Sequence, residues 1–260
     1  MFNIAEGVGG RCREAQVPAL LELYGIPYTM SDPLACAATL DKAVAKRLVR
    51  EAGLLTPRFV VVETPADVAG VRLCPPLFAK PLAEGTGMGI DERSRIANRA
   101  ELRAVCERLL ERFRKPVLVE EYLPGREFTT GLIGTGADAR VIGTMEVRIR
   151  AEVGPVDYSY EMKEHCERWV DYATPELGPL RDAVERLALD AYRVLQCRDT
   201  ARVDVRLDAQ GRPSFMEINP LPGLHPTHSD LPMIATCAGW TYPKLIGAIV
   251  DSARRRYSLA

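Results

Sequence analysis

Segments with helical and with strand-like spacing of apolar residues alternate along the chain of 260 residues. Apolar residues that recur every three or four positions predict helices over 13–23, 41–52, 99–114, 176–195 and 241–256. Short β-branched or apolar runs predict strands at 58–62, 76–80, 117–120, 126–134, 140–149, 200–207 and 213–219. This alternation favours a mixed α/β (α+β) architecture.

Residues 152–175 follow neither spacing. A connection of this length exceeds the roughly 12–15 residues beyond which loops are usually functional or disordered. Farther along, Ser229 is placed to cap a short helix that runs to Gly239. We therefore expect a long functional loop between the predicted strand 140–149 and the helix at 176–195.

Charge and cysteine usage narrow the classes of function. The 34 Lys and Arg residues nearly balance the 35 Asp and Glu residues, which gives a formal net charge of −1. Nucleic-acid binders and polybasic membrane-surface proteins carry a basic excess, so neither partner is expected. The sequence has no apolar run of the ~20 residues that a transmembrane helix needs, and no signal-peptide pattern. Seven cysteines without a C-x-x-C pair are typical of a reduced, cytoplasmic protein.

Residues 200–219 predict two strands joined by a turn at 209–212. Alternate side chains of a strand share a face, which groups Arg202, Asp204 and Arg206 on the first strand. If the turn sets the register, the facing pairs are Asp208 with Pro213, Asp204 with Glu217, and Arg202 with Asn219. Met216 and Ile218 are then expected in the core.

The facing pair of Asp204 and Glu217 suggests a cation site. Two carboxylates directly opposite each other destabilise a sheet unless a cation lies between them. Together with the carbonyl of Asn219 they are hard oxygen ligands, suited to Mg²⁺ that also binds substrate phosphates. The alternative for this segment is a solvated polar face.

A glycine-rich turn follows the predicted strand at 76–80. Gly85, Gly87 and Gly89 allow backbone N–H groups to turn toward phosphate oxygens, and Lys80 at the strand end adds a point charge. The segment predicts a phosphate-binding loop. The alternative is an ordinary hairpin turn.

The apolar strand at 117–120 ends in Glu120-Glu121-Tyr122-Leu123, just before Pro124-Gly125. Free backbone groups at such a strand end can hydrogen-bond a planar base, and Glu127 can accept from ribose hydroxyls. The segment predicts a nucleotide-binding hinge. The alternative is a pair of exposed glutamates in a loop.

Taken in order, these three segments resemble the ATP-grasp superfamily. M-E-I-N-P-L-P-G-L-H-P-T-H-S-D-L-P-M at 216–233 and L-D-K-A-V-A-K at 40–46 are similar to the D-alanine–D-alanine ligase family, and the resemblance runs from about residue 3 to the end. It implies an ATP-grasp fold of two lobes that close over the nucleotide. Residues 1–39 would be the remnant of a truncated, Rossmann-like N-terminal domain, 40–127 the central lobe, and 128–260 the C-terminal lobe with the metal site.

The resemblance also implies a reaction. The family uses ATP and Mg²⁺ (or Mn²⁺) to join a carboxylate and an amine through an acylphosphate, so we expect a ligase with an amino acid as one substrate. One alternative is a ligase of the same fold that joins an amino acid to a hydroxy acid or a peptide. Another is a nucleotide-binding partner protein that has lost ligation. A homodimer is a further expectation.

The family's site residues can be assigned to the matching positions of this chain. The resemblance implies a nucleotide site formed by Lys42, Lys80, Gly85, Thr86, Gly87, Met88, Glu120, Glu121, Tyr122, Leu123, Glu127 and, on the long loop, Lys163. The two-magnesium site would comprise Asp204, Glu217 and Asn219. The oxyanion would be stabilised by Arg202 and the N–H of Gly223, and the acceptor's carboxylate would be held by Ser229.

The chain departs from the family pattern at three places. Glu164-His165 follows the loop lysine where the family has a tyrosine, and Thr86-Gly87 stands where it has consecutive serines. The glutamate that orients the first substrate's amine has no counterpart. We therefore expect near-normal ATP binding and weak or absent ligation by this chain.

Two histidines near the end of the chain suggest a different kind of metal site. His225, His228 and Cys237 suggest a zinc site, but H-x-x-H without a second pair of ligands is a weak motif. A role in lining the substrate pocket, or in an ordinary loop, is the alternative.

Overall fold

The computed structural model describes residues 1–85, 87–149 and 169–259, which form two antiparallel sheets with helices packed against them. The strands are β1 (Phe59–Val62), β2 (Leu77–Pro81), β3 (Arg95–Ile96), β4 (Val117–Glu121), β5 (Glu127–Ile133), β6 (Arg140–Ile149), β7 (Val170–Ala173), β8 (Thr200–Leu207) and β9 (Pro213–Asn219). The helices are α1 (Gln16–Leu23), α2 (Pro33–Leu40), α3 (Lys42–Glu51), α4 (Arg99–Phe113), α5 (Pro179–Val194), α6 (Asp230–Cys237) and α7 (Tyr242–Arg256). Short 3₁₀ helices lie at Arg13–Ala15, Pro65–Gly70, Glu92–Ser94 and Gly136–Asp138.

The first sheet has the strand order β1-β4-β2-β3. Helix α4, capped by the side chain of Asn98, covers one face of this sheet. Val117 and Val119 of β4 belong to the core that α4 closes. Since side chains alternate along a strand, Leu118 and Glu120 point to the opposite face, toward α3. The sequence thereby places a glutamate on a buried face between the two sheets.

The second sheet has the strand order β7-β6-β5-β8-β9. Helix α5 packs on one face, over a core that includes Phe128 and Phe215. Helix α6 packs on the other face, above the paired Gly131 of β5 and Gly143 of β6. A methyl group on Gly131 would lie 2.9 Å from a methyl carbon of Leu231, so these glycines allow the close approach of α6.

Helix α3 connects the two sheets. Its N-terminus is capped by Asp41, whose side chain accepts hydrogen bonds from the N–H groups of Ala43 and Val44. Ala43 packs against the first sheet, whereas Ala45 and Val49 pack into the core of the second. The face of α3 that carries Lys42, one turn before Lys46, is therefore directed into the space between the sheets.

Most predicted elements agree with the observed ones to within a few residues, with two clear exceptions. Helix α2, which Asp32 caps and Pro33 begins, was not predicted, because it is apolar nearly all round and lacks an amphipathic period. Residues 170–173 were predicted to belong to a long loop, where the structure has β7. The remainder of that predicted loop, up to 168, lies outside the described residues. Within the described ranges, every helix is too short or too polar to cross a bilayer.

Candidate active site

A cleft opens between the two sheets and is lined from both of them. Many of the residues assigned to the nucleotide and metal line this cleft, namely Lys42, Lys80, Gly87, Met88, Glu120, Glu121, Tyr122, Leu123, Glu127, Asp204 and Glu217. Gly85, Arg202, Asn219, Gly223 and Ser229 lie outside its described lining. Thr86 and Lys163 are outside the described residues. Positions far apart in the sequence thus meet at one site.

The floor of the cleft is a buried ion-pair network of Lys46, Lys80 and Glu120. The two carboxylate oxygens of Glu120 lie 2.9 Å from Lys46 Nζ and 3.1 Å from Lys80 Nζ. Glu120 and Lys46 are both 0% exposed. Burial alone would raise the pKa of Glu120, but the two ammonium groups outweigh it and hold the pKa below its usual value. The carboxylate is therefore fixed in its anionic form between two cations.

Lys46 also ties the floor to the second sheet. Its ammonium donates to Thr56 Oγ1 at 3.1 Å and to the carbonyl oxygen of Phe215 in β9 at 3.3 Å. Burial lowers the pKa of Lys46 to about 8, although Glu120 opposes that change. No role was predicted for this lysine from the sequence. Its position one turn after Lys42 on an amphipathic helix was the available signal.

Lys42 and Lys80 extend the network toward the second sheet. Their ammonium groups lie 3.6 Å and 3.8 Å from Glu217 Oε2, and Lys42 also donates to the carbonyl oxygen of Glu84 at 2.6 Å. For Lys80, burial would lower the pKa, but Glu120 and Glu217 raise it above its usual value. Burial lowers the pKa of Lys42, although Glu217 opposes that change. Two lysines beside a carboxylate at a cleft wall can neutralise phosphate oxygens.

The predicted register of β8 and β9 is confirmed at the site and wrong at the turn. Asp204 faces Glu217 and Arg202 faces Asn219, but a register shift after Asp204 pairs Leu207, not Asp208, with Pro213. Met216 is the extra residue of the resulting bulge. It lines the cleft and is partly exposed, so the prediction that it faces the core was wrong.

The facing carboxylates suit a hard cation. Asp204 Oδ1 accepts a hydrogen bond from Thr129 Oγ1 at 2.9 Å, and both Asp204 and Glu217 are partly exposed to the cleft. The described residues contain no group of three or more His, Cys, Asp and Glu side chains that could hold a metal ion by themselves. Two carboxylates and the amide of Asn219 fit Mg²⁺ best when phosphate oxygens and water complete the shell. The zinc alternative at His225 and His228 gains no support from this finding.

The hinge residues also line the cleft. The ring of Tyr122 is contacted by the guanidinium of Arg95 at 4.4 Å and of Arg206 at 5.0 Å from its centroid. Arg206 also donates to the Tyr122 hydroxyl at 3.1 Å and pairs with Glu127 at 3.7 Å. These contacts fix the strand end and the carboxylate beside it.

The glycine-rich turn borders the same cleft. Gly87 and Gly89 have φ angles of 75° and 82°, a backbone conformation that glycine adopts without strain. The N–H of Met88 donates to the carbonyl oxygen of Gly85 at 3.1 Å. The turn thereby brings Gly87 and Met88 into the cleft lining.

A second group of predicted residues surrounds the start of α6. Arg202 lies within a cage of carboxylates, with Nε 3.0 Å from Asp204 and Nη1 2.8 Å from Asp230. Ser229 precedes α6, but its hydroxyl accepts from the N–H of His225 at 3.0 Å and makes no capping bond, contrary to the predicted cap. A Cβ on Gly223 would lie 2.7 Å from Ser229 Oγ, so Gly223 and Ser229 are direct neighbours.

Two sheets that enclose buried lysines on one side and opposed carboxylates on the other form a cleft suited to phosphate groups and a hard cation. Comparison with known proteins then gives the family. Residues 48–251 match the protein family described as D-ala D-ala ligase C-terminus. This chain therefore belongs to the D-alanine–D-alanine ligase family.

Individual relatives agree with that assignment. The D-alanine–D-alanine ligase of Bordetella petrii is 37% identical over 240 residues, which cover 90% of this chain and 70% of the relative. An uncharacterized protein of Sinorhizobium fredii is 35% identical over 265 residues, covering 99% and 75%. The crystal structure of the Bacillus anthracis D-alanine–D-alanine ligase complexed with ATP matches with a TM-score of 0.75 at 26% identity, covering 94% of this chain and 76% of that one.

These findings confirm the family and the ATP-grasp fold inferred from the motifs. They also confirm the class of the enzyme, an ATP-dependent carboxylate–amine ligase that forms a C–N bond. ATP and Mg²⁺, the predicted cofactors, are those of this family.

Proposed function

We propose that this chain transfers the γ-phosphoryl group of ATP to the carboxylate of one substrate and joins the resulting acylphosphate to the amine of another, one of the two being an amino acid. The observation that carries this proposal is the placement of Lys42 and Lys80 within 3.6–3.8 Å of Glu217, which faces Asp204 across β8 and β9. Cations for phosphate and carboxylates for Mg²⁺ thus lie at one cleft.

The phosphoryl-transfer step needs charge neutralisation and alignment more than covalent help. Lys42 and Lys80 would hold phosphate oxygens, together with Lys163 and the glycine-rich segment of Gly85, Thr86, Gly87 and Met88. Asp204, Glu217 and Asn219 would bind Mg²⁺, which offsets the charge of the phosphates. At the hinge, Glu120 to Leu123 would bind the base and Glu127 the ribose.

The second step places an amine on the acylphosphate carbonyl. The amine forms the C–N bond and loses a proton, and phosphate leaves. Arg202 and the N–H of Gly223 would stabilise the tetrahedral oxyanion, a contribution of typically ~10²–10³ in rate for one such donor. Ser229, adjacent to Gly223, would position the acceptor.

Three broader features belong to the same proposal. The division into 1–39, 40–127 and 128–260 is supported by one sheet formed within 59–121 and another within 127–219. A cytoplasmic location is favoured by the use of ATP and by the free cysteines at 12, 36, 74, 106, 197 and 237. A homodimer would cover exposed apolar side chains of α1 such as Leu20 and Leu23, and light scattering of the purified chain tests it.

The decisive experiment is a screen of phosphate release from ATP and Mg²⁺ with pairs of D- and L-amino acids, hydroxy acids and short peptides, with products identified by mass spectrometry. We expect release that needs both substrates and yields an amide. ATP binding by calorimetry without release for any pair would instead favour a nucleotide-binding partner protein. An ester product would favour the hydroxy-acid alternative.

A further inference from the structure

We infer, on the basis of the proposed function, that Arg206 is a positioning residue for the nucleotide. It holds the carboxylate of Glu127 in place for the sugar, and this arrangement makes the protein prefer ATP to analogues that lack a ribose hydroxyl. The inference concerns the contacts that Arg206 makes with Glu127 and with Tyr122 of the hinge.

Glu127 and Arg206 form an ion pair at the wall of the cleft. They face each other directly across β5 and β8, and both line the cleft. Side chains paired in this way project from the same face of a sheet, where opposite charges attract. Arg206 Nη1 lies 3.7 Å from Glu127 Oε2, and the two side chains are 17% and 26% exposed. The cation thus holds the carboxylate at the wall while leaving it accessible to a ligand.

Arg206 is itself held by other groups. Its Nε donates to the carbonyl oxygen of Gly125 at 3.3 Å, and its Nη2 donates to the Tyr122 hydroxyl at 3.1 Å. The guanidinium also lies over the Tyr122 ring, 5.0 Å from the centroid. A planar guanidinium fixed by several partners loses little freedom when it binds a carboxylate. Glu127 is therefore oriented before a nucleotide arrives, which lowers the cost of binding one.

The position of Arg206 matches the order of groups in a nucleotide. Asp204, a proposed metal ligand, lies two residues earlier on the same face of β8, a distance of roughly 7 Å along the strand. Tyr122, which Arg206 contacts, belongs to the proposed base hinge. Arg206 therefore connects the metal carboxylates to the base hinge, as the ribose of a nucleotide connects the phosphates to the base.

A fixed carboxylate at this position distinguishes ribose from deoxyribose. The ribose hydroxyls are donors, and hydrogen bonds to an ionised acceptor are stronger than those between neutral groups. A site built to bind a hydroxyl rejects an analogue without it, because its own polar group is then left unpaired. Without Arg206, the carboxylate of Glu127 can turn toward water, so the sugar hydroxyls lose this advantage.

The test measures by calorimetry how tightly the chain binds ATP, 2′-deoxy-ATP and 3′-deoxy-ATP with Mg²⁺. We expect the wild type to bind ATP at least about tenfold more tightly than the weaker of the two analogues. In R206M this ratio should shrink to within about threefold. R206Q should behave in the same way, because it keeps a donor for Tyr122 but removes the cation from Glu127. R212M, in the exposed turn of the same hairpin, is the matched control and should keep the wild-type ratio.

A double variant tests whether Arg206 acts through Glu127. E127Q should shrink the ratio about as far as R206M, and E127Q/R206M should shrink it no farther, because both changes affect one carboxylate. If the two effects multiply in the double variant, Arg206 contacts the nucleotide independently of Glu127, which overturns the inference.

The remaining outcomes separate this inference from its alternatives. If R206M weakens the binding of ATP and of both analogues equally, Arg206 only supports the hinge, and the inference is wrong. A wild-type protein that binds both analogues as tightly as ATP overturns it without any variant, so the test does not depend on the variants folding. Absence of ATP binding by the wild type is a different result, since it contradicts the proposed function itself.

Discussion

Ion pairs at the floor of the cleft and a more exposed set of pairs, called the rim, use the same chemical groups in different surroundings. At the floor, Glu120 is held by Lys46 and Lys80, and all three side chains are at most 6% exposed. The rim consists of the pairs Arg58–Glu121 and Arg126–Glu146, whose arginines are 72% and 47% exposed. Glu120 and Glu121 are neighbours in β4, so one step along a strand moves a carboxylate from the floor to the rim.

This difference in exposure decides how much each ion pair contributes to the stability of the fold. Ions taken out of water lose their hydration, so a buried network stays favourable only while every member is present. Exposed pairs are screened by solvent and contribute about 0–1 kcal/mol. Between these extremes lie the partly exposed Asp204 and Glu217, which are suited to bind a cation rather than to stabilise the fold.

The largest effect is expected from removing the charge of Glu217. In E217Q the amide fills the same volume but binds Mg²⁺ poorly, so turnover in the phosphate-release assay should fall by at least about 10³-fold. The free energy of unfolding should change by no more than about 1 kcal/mol. D208N, in the exposed turn of the same hairpin, is the matched control and should retain activity. Unchanged turnover in E217Q would contradict the metal assignment.

At the floor, K46M should destabilise the fold. It removes one cation and leaves the buried Glu120 with Lys80 alone, which should lower the free energy of unfolding by about 3–5 kcal/mol. R58M removes a cation at the rim and should cost no more than about 1 kcal/mol. Chemical denaturation of both variants makes the comparison. Equal losses of stability in K46M and R58M would show that burial does not determine how much these ion pairs stabilise the fold.

Glu14 is a third case, because it is buried like Glu120 but lacks a close ion pair with a cation. It is 8% exposed, and its nearest cation, Arg13, is 3.6 Å away. Burial raises its pKa from 4.5 to about 7, with Arg13 and Lys42 opposing and Glu6 reinforcing the change. The folded state therefore retains a proton that the unfolded chain releases, and stability should fall as the pH rises from 4.5 to 7.

Substitution of Glu14 tests that pH dependence. E14Q should not show this loss, so at pH 8 it should be more stable than the wild type by roughly 2–3 kcal/mol, and equally stable near pH 4. Denaturation at several pH values measures the difference. E51Q, at an exposed helix end, is the control and should follow the wild type. A parallel pH profile for E14Q and wild type would show that Glu14 is solvated in solution.

The contrast between floor and rim also shows what the sequence could and could not predict. The prediction that Asp204 faces Glu217 was correct although its premise was wrong. The turn pairs Leu207 with Pro213, and the bulge at Met216 restores the predicted pairing beyond it. That bulge was not predictable from the turn, since it lies inside β9. Most of the residues that the family motifs assign to the nucleotide lie together in the lining of one cleft.

Residues whose role depends on distant partners were missed. Lys46 lies on an ordinary amphipathic helix, and only the folded chain brings it to Glu120 of β4 and to the carbonyl of Phe215 in β9. Asp230 was quoted within a motif without a role, because its contact with Arg202 requires α6 to rest on the glycines of β5 and β6. Burial and charge pairing across sheets are not local properties of a sequence.

The smallest effect is expected at the rim, from Glu146 on β6. Its carboxylate accepts from Arg126 Nε at 2.6 Å and from Arg148 at 2.6 Å. These hydrogen bonds, that of Arg126 first, lower its pKa from 4.5 to about 2. The folded state thus keeps the carboxylate ionised where the unfolded chain takes up a proton, and stability should be lost as the pH falls from 4.5 to 2.

Substitution of Glu146 should reduce the loss of stability at acidic pH only slightly. Because both arginines are about half exposed, solvent screening limits the contribution of the pair to about 1 kcal/mol. E146Q should therefore be less stable than the wild type by about that amount at pH 6 and equal to it near pH 2. Denaturation across this range, at low and at high salt, measures both the effect and its screening. If E146Q lost several times more stability than this at pH 6, Glu146 would resemble the buried Glu120. The exposure of the arginines would then be a poor guide to how much the carboxylate stabilises the fold.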